Sequence, residues 1–270
     1  GGPNYPLATP GVRLKVIPTD QIALLAAIFN GDPAGTGFTG LQEVKNPSGT
    51  NFRLKDPPFL ISEAQYKYNQ GPDSQGLAGT IKFGGWYHFG RFDDNHFGID
   101  GRSLASPLSN GRPLVHLGDF AVYGVVDQML WRLPGDAPKK GIGGFARIAA
   151  GPSNRNLINF YAEAGLNFIG IWKGRPDDTL GCAAAFSQLS PSISALDRDT
   201  AFFAGQALPI RTYELALEVT YQAQVGPSWI VQPDFQYIFR PSGGVIDPVN
   251  PSLGKIPDAA VFGLRTSISF

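Results

Sequence analysis

The sequence has one cysteine, one methionine, little charge and no long apolar run, and each scarcity removes a class of protein. Cys182 alone cannot close an internal disulfide or supply a thiolate metal site, and in the apolar run around it a small buried residue is a better account than a reactive thiol. Charged residues make up 16% of the 270, with 22 Lys and Arg balancing 22 Asp and Glu, so there is no basic stripe to displace counterions from nucleic acid. The longest apolar stretch, Ile22 to Phe29, is far short of the roughly 20 residues that a membrane-spanning helix needs. The first residues show no basic segment followed by an apolar one, so an export signal is expected to have been removed or to lie outside this chain. Glycine (34) and proline (23) are abundant instead, which argues against a helix bundle, and aromatics at 12% argue against disorder.

What the sequence does have is alternation with a period of two. Tyr213, Leu215, Leu217, Val219 and Tyr221 alternate with Thr212, Glu214, Ala216, Glu218, Thr220 and Gln222. Trp229, Val231, Pro233, Phe235, Tyr237 and Phe239 oppose Gln232, Asp234, Gln236 and Arg240, and Phe262, Leu264 and Ile268 oppose Gly263, Arg265 and Ser267. A noisier version sets Val12, Leu14 and Val16 against Arg13 and Lys15, and Leu60, Ala64, Tyr66 and Tyr68 against Glu63, Gln65 and Lys67. Ile81, Phe83, Tyr87 and Phe89 oppose Lys82, Trp86 and His88; Ile148 opposes Arg147; Phe160, Ala162, Ala164 and Leu166 oppose Tyr161, Glu163 and Asn167. Segments 21–30, 119–133 and 180–190 also read as strands, with a facing that alternation leaves open; in 119–133, for instance, Asp127 and Gln128 are adjacent, and only one can share a face with the polar set. The pattern predicts about eleven strands in a single domain over 1–270 and no helix.

Short links at 19–20, 71–79, 135–141, 175–179 and 224–228 alternate with longer ones near 31–56, 95–118, 191–210 and 241–257; only 152–158 breaks the rule. A meander with short turns at one end and long loops at the other is the layout of an all-β transmembrane antiparallel up-and-down β-barrel, with an oily face toward lipid and a polar face toward a channel. Aromatics near strand ends, Tyr213, Tyr221, Trp229, Phe239, Phe262 and Phe270, suit headgroup-level girdles. The terminal Phe270 resembles the signal read by the machinery that inserts such barrels.

Several phrases then resemble the carbohydrate-selective porin (OprB) family: Asn4-Tyr5-Pro6 leading to Gly11-Val12-Arg13-Leu14, Ile28 to Pro33, Gly84-Gly85-Trp86-Tyr87-His88, Val126 to Leu130, and Phe145-Ala146-Arg147. Gly174 to Asp178, Tyr213-Glu214, Gly263-Leu264-Arg265 and, most specific, Trp229 to Tyr237 continue the series in family order. The resemblance implies a sixteen-stranded barrel passing sugars by diffusion through the bacterial outer membrane. It also implies that this chain is a C-terminal portion beginning at what would be the sixth strand. Implied partners are saccharide solutes, outer-membrane lipid and lipopolysaccharide, the barrel-assembly machinery and a homo-oligomer; nucleic acid is excluded.

The candidate pore-lining residues interleave both signs: Arg13, Lys15, Lys67, Lys82, Arg147, Arg240 and Arg265 with Glu63, Glu163, Glu214, Glu218 and Asp234. A mixed lining with amides suits neutral polyhydroxyl solutes better than ions, and Trp86 is the inward aromatic best placed to pack on a sugar ring. Each charge also has a plainer role in bracing the wall, and His88 is better read as a hydrogen-bonded wall residue than as a pH gate. Asp93-Asp94 and Asp177-Asp178 read as solvated turns rather than metal ligands. Glu214 and Glu218, four apart on one strand, are about 13 Å apart, beyond the reach of a glycosidase pair. No phosphate loop, nucleophile elbow or zinc spacing is present, so the sequence predicts neither an enzyme nor a cofactor. The competing reading is a soluble all-β carbohydrate-binding module whose oily face packs on a second sheet.

Overall fold

The computed structural model describes residues 8–35, 44, 48, 50, 52–71, 74–135 and 140–269. Among the described residues, eleven antiparallel strands form one sheet in strict sequence order, each paired with its neighbours in the chain. They are β1 (Gly11–Thr19), β2 (Ile22–Asn30), β3 (Pro58–Tyr68), β4 (Gly79–Gly98), β5 (Pro113–Arg132) and β6 (Gly141–Ala150). β7 (Ile158–Ile169), β8 (Thr179–Leu189), β9 (Tyr213–Gly226), β10 (Trp229–Phe239) and β11 (Ala259–Ile268) complete the sheet. The strand count and the up-and-down order agree with the alternation.

Two expectations are corrected. Residues 191–210, read as an irregular loop in a chain without helix, contain α1 (Pro191–Ala204). Its signals are present in the sequence: Pro191 opens the first turn, where a missing N–H costs nothing, and Gly205 closes it in the left-handed region at φ 62°. Strand-length alternation cannot detect them. The link expected at 95–118 is also shorter, because β4 and β5 run for 20 residues each and so project well beyond the others. That projection explains the short 152–158 link. The Asn95 N–H donates to Asn154 O at 2.7 Å, and Asn95 Nδ2 donates to Asn156 O at 2.9 Å. The neighbouring hairpin supplies the cover that a longer loop would give.

Directly paired residues lie on the same face of a sheet, so the register carries facing from strand to strand. One row runs Lys15, Leu25, Glu63, Gly84, Tyr123 through successive pairs, and continues Ala149, Tyr161, Ser187, Glu214. The open facing of 119–133 is thereby settled. Asp127 joins the polar face opposite Thr80, and Gln128 joins the oily face opposite Gly79.

The burial pattern is inverted relative to a soluble protein. Large apolar side chains of the oily face are exposed, including Phe262 at 80%, Leu264 at 75% and Phe83 at 65%, whereas Asp119, Asp178 and Ser190 are fully buried. The buried apolar side chains are few: Ala23, Ala27, Ala34, Phe59, Leu189 and Ile193. Among the described residues, no second sheet covers the oily face. Among the described residues, no helix is long and apolar enough to cross a membrane, which says nothing of a β-barrel.

Candidate functional site: the polar face

Thirteen of the sequence-predicted residues fall on strands and share one face: Arg13 and Lys15 (β1), Glu63 and Lys67 (β3), Lys82, Trp86 and His88 (β4), Arg147 (β6), Glu163 (β7), Glu214 and Glu218 (β9), Asp234 (β10) and Arg265 (β11). Arg240 is placed differently. It lies past the end of β10 in the left-handed region at φ 52°, with its guanidinium 5.0 Å above the Tyr213 ring at the rim of the sheet. Phe270 lies outside the described residues.

In the middle of the sheet the charges are tied to one another. Lys82 Nζ pairs with Asp127 at 3.3 Å, and Arg147 with Glu163 at 3.0 Å. Tyr161 donates its hydroxyl to Glu163 as well. Glu63 accepts from Tyr123 at 2.7 Å on one oxygen and from Gln65 on the other. On the far side Gln236 donates to Glu218 at 2.8 Å, and Gln232 to Thr220 at 2.9 Å. Asp127 and Tyr123, in the segment of open facing, were not among the predicted site residues, and Tyr161, which the alternation sets on the polar face, was not singled out although its hydroxyl makes it a polar wall residue. Facing was the missing signal for Asp127.

The aromatic patch sits nearer the long-loop end. Trp86 packs on Phe59 with ring centroids 5.5 Å apart, and Phe59 and Phe92 flank His88. His88 is a structural wall residue. Its Nδ1 accepts the Gly90 N–H at 2.9 Å, which leaves Nε2 as the donor to Gly31 O at 2.8 Å. One imidazole thus fastens the segment after β2 to the wall.

Beyond the strands, loops fold onto the projecting β4–β5 hairpin. Asp94 is nearly buried, takes the N–H groups of His96 and Phe97, and bonds His116 at 2.7 Å. His96 reaches Asp199 of α1 at 2.7 Å, and Arg211 binds Asp197 of the same helix through two nitrogens. Its hydrogen bond to His96, ahead of one to Ser103, holds the Asp199 carboxyl below its usual range. At the opposite end Asp178, buried in the β7–β8 turn, accepts from Tyr221, the Gln224 N–H and Arg175. Burial alone would raise its pKa, but these three donors together hold it below the normal carboxylate range. Asp94, on β4, and Asp178, in a turn, are thus buried by their hydrogen-bond partners, which corrects the expectation that both aspartate pairs are solvated turns. No cluster of metal-ligating side chains occurs among the described residues.

Comparisons with known proteins agree with this geometry. A family model, "Carbohydrate-selective porin, OprB family", matches residues 1–270. Porin B of Pseudomonas aeruginosa is 23% identical over 275 residues, spanning 96% of this chain and 56% of that protein. Among solved structures, the high-pH structure of Pseudomonas putida OprB superposes with a TM-score of 0.77 at 23% identity, covering 96% of this chain and 58% of that one. The low-pH structure of the same protein matches at 0.53 and 16% identity. The chain spans little more than half the length of these relatives, and their likeness establishes the fold.

Proposed function

The chain belongs to the carbohydrate-selective porin, OprB family, and on that premise we propose that it forms the wall of an outer-membrane conduit through which neutral mono- and oligosaccharides diffuse. The carrying observation is the inversion of the sheet. A polar face of interleaved charges and amides backs onto an oily face whose large apolar side chains are exposed on every strand except β8. Hydrocarbon solvates the oily face and water fills the other. A lining of both signs repels neither cations nor anions as a class, and its carboxylates, guanidinium groups and amides offer sugar hydroxyls both acceptors and donors.

The outer membrane supplies the lipid and lipopolysaccharide contacts, the barrel-assembly machinery inserts the protein, and copies associate side by side. The soluble sugar-binding module would need protein over Phe83, Leu217, Phe262 and Leu264, all exposed in the sheet.

Reconstitution of the complete protein into liposomes tests this reading. Glucose should enter protein-containing vesicles and not empty ones; vesicles that stay closed to glucose, or a protein recovered without detergent, would overturn it.

A further inference from the structure

The glycines that open β6 leave a hollow in the polar face. Gly141 is fixed by its backbone: it sits at φ 138°, and a Cβ there would overlap Trp131 O. Gly143 is under no such constraint, because a Cβ there would meet nothing nearer than Gln128 O at 3.9 Å. What its missing side chain provides is space. Thr80, Asp127, Met129, Gly143, Phe145 and Asn167 line a recess of about 270 Å³ near the short-turn end of the wall. The register sets all six on one face: Asp127 is paired with both Thr80 and Phe145, and Gly143 with both Met129 and Asn167. The recess lies on β4 to β7, in the interior of the sheet, with described strands on both flanks.

The side chains around the hollow have complementary chemistry. The Phe145 ring reaches across to β7 over Gly165, where a Cβ would lie 2.6 Å from its Cε1, so a side chain at 165 would push the ring off the wall. Asp127 keeps 52% of its side chain exposed while Lys82 pairs with one carboxylate oxygen at 3.3 Å. The Thr80 hydroxyl and the Asn167 amide make no hydrogen bond among the described residues. Charge cancels pairwise around the recess, Lys82 with Asp127 and Arg147 with Glu163, so an ion of either sign gains nothing there. A neutral polyhydroxyl ring does gain. Its C–H face packs on Phe145, and its hydroxyls donate to Asp127 and bond with Thr80 and Asn167. The volume lies just below the roughly 300 Å³ at which pockets for drug-sized ligands begin, which suits one sugar ring rather than a chain.

We propose that this recess is a binding subsite for a neutral monosaccharide, with Phe145 as its stacking platform and Asp127, Thr80 and Asn167 as its hydrogen-bonding groups. This rests on the conduit reading above and adds to it a place on the wall where the solute pauses. The subsite is distinct from Trp86, which packs on Phe59 nearer the long-loop end. It also gives the glycines of β6 a role: they hold the wall back so that a sugar ring can settle beside Phe145.

The test uses the complete protein in planar bilayers, where glucose should interrupt the single-channel current saturably and the half-blocking concentration measures binding. Gly143→Val, which the strand has room to accept and which fills the recess, should abolish the block. Phe145→Leu keeps an apolar side chain and loses the ring, and should raise the half-blocking concentration about fivefold, whereas Phe145→Tyr should leave it near the native value. Asn167→Ala should also raise it about fivefold. Heat-modifiable migration on gels verifies folding of each variant. The subsite is overturned if folded Gly143→Val and Phe145→Leu proteins are blocked at the native glucose concentration, or if the native protein admits glucose into liposomes and shows no saturable block. Liposomes closed to glucose would instead remove the conduit reading. Calorimetric binding of glucose in detergent, lost in Gly143→Val, would then leave the subsite standing, and no binding would remove it as well.

Discussion

Gly84 lies between Glu63 and Tyr123 in the register row, and a Cβ there would overlap the Tyr123 ring. The missing side chain lets the ring lie flat across β4 so that its hydroxyl reaches a carboxylate two strands away. Gly84→Ala should therefore release Glu63 from Tyr123 while the strand still pairs, read as faster exchange of the tyrosine hydroxyl proton and altered single-channel conductance. Leu217, exposed at mid-strand on the oily face of β9, sits next to Glu218 on the polar one. Leu217→Arg should destabilise the protein by about 2 to 4 kcal/mol, because it places a cation in hydrocarbon, whereas Glu218→Gln should fold normally and change conductance. Equal unfolding free energies for the two variants in detergent or lipid would show that the facing is wrong.

At the scale of elements, the two ends of the sheet are fastened by different devices. The long-loop end relies on side chains meeting across loops: α1 is held to the β4–β5 hairpin by His96 with Asp199. His96→Ala should loosen α1, which would appear as faster amide hydrogen exchange over 191–204 with the strands unchanged. The short-turn end relies on Asp178, which gathers Arg175, Tyr221 and Gln224 around one carboxylate. Its pKa is depressed in the folded protein, so its stabilisation is complete above the unfolded value near 4 and is lost as pH falls through the lower folded value. Acid titration should open the 170–178 turn in that window, and Asp178→Asn should remove that pH dependence while lowering stability at neutral pH.

At the scale of the whole molecule, the inverted sheet depends on its surroundings for stability. Its few buried apolar side chains cannot form a core of their own, and the oily face gains from burial only in lipid or detergent. The protein should stay compact on unheated gels in detergent, unfold on boiling, and aggregate when detergent is removed, as light scattering would register. Retention of a monodisperse state in plain buffer would contradict this.

Period-two alternation is a local property of the chain, so strand number, strand order and the two faces of β9, β10 and β11 were legible in the residues alone. Thirteen of the fourteen pore-lining candidates fall on one face for the same reason: a strand cannot turn its even positions inward without turning its odd positions out. Arg240 escaped because a single residue at positive φ ends the alternation. What required the tertiary structure was everything set by partners distant in sequence. Pairing assigned Asp127 and Gln128 to opposite faces, brought Tyr123 onto the polar wall, and showed which charges neutralise one another. It also revealed α1, whose place is fixed by Asp197 and Asp199 meeting Arg211 and His96. A hydrogen bond between residues a hundred positions apart leaves no period in the sequence, and only folding decides that it forms.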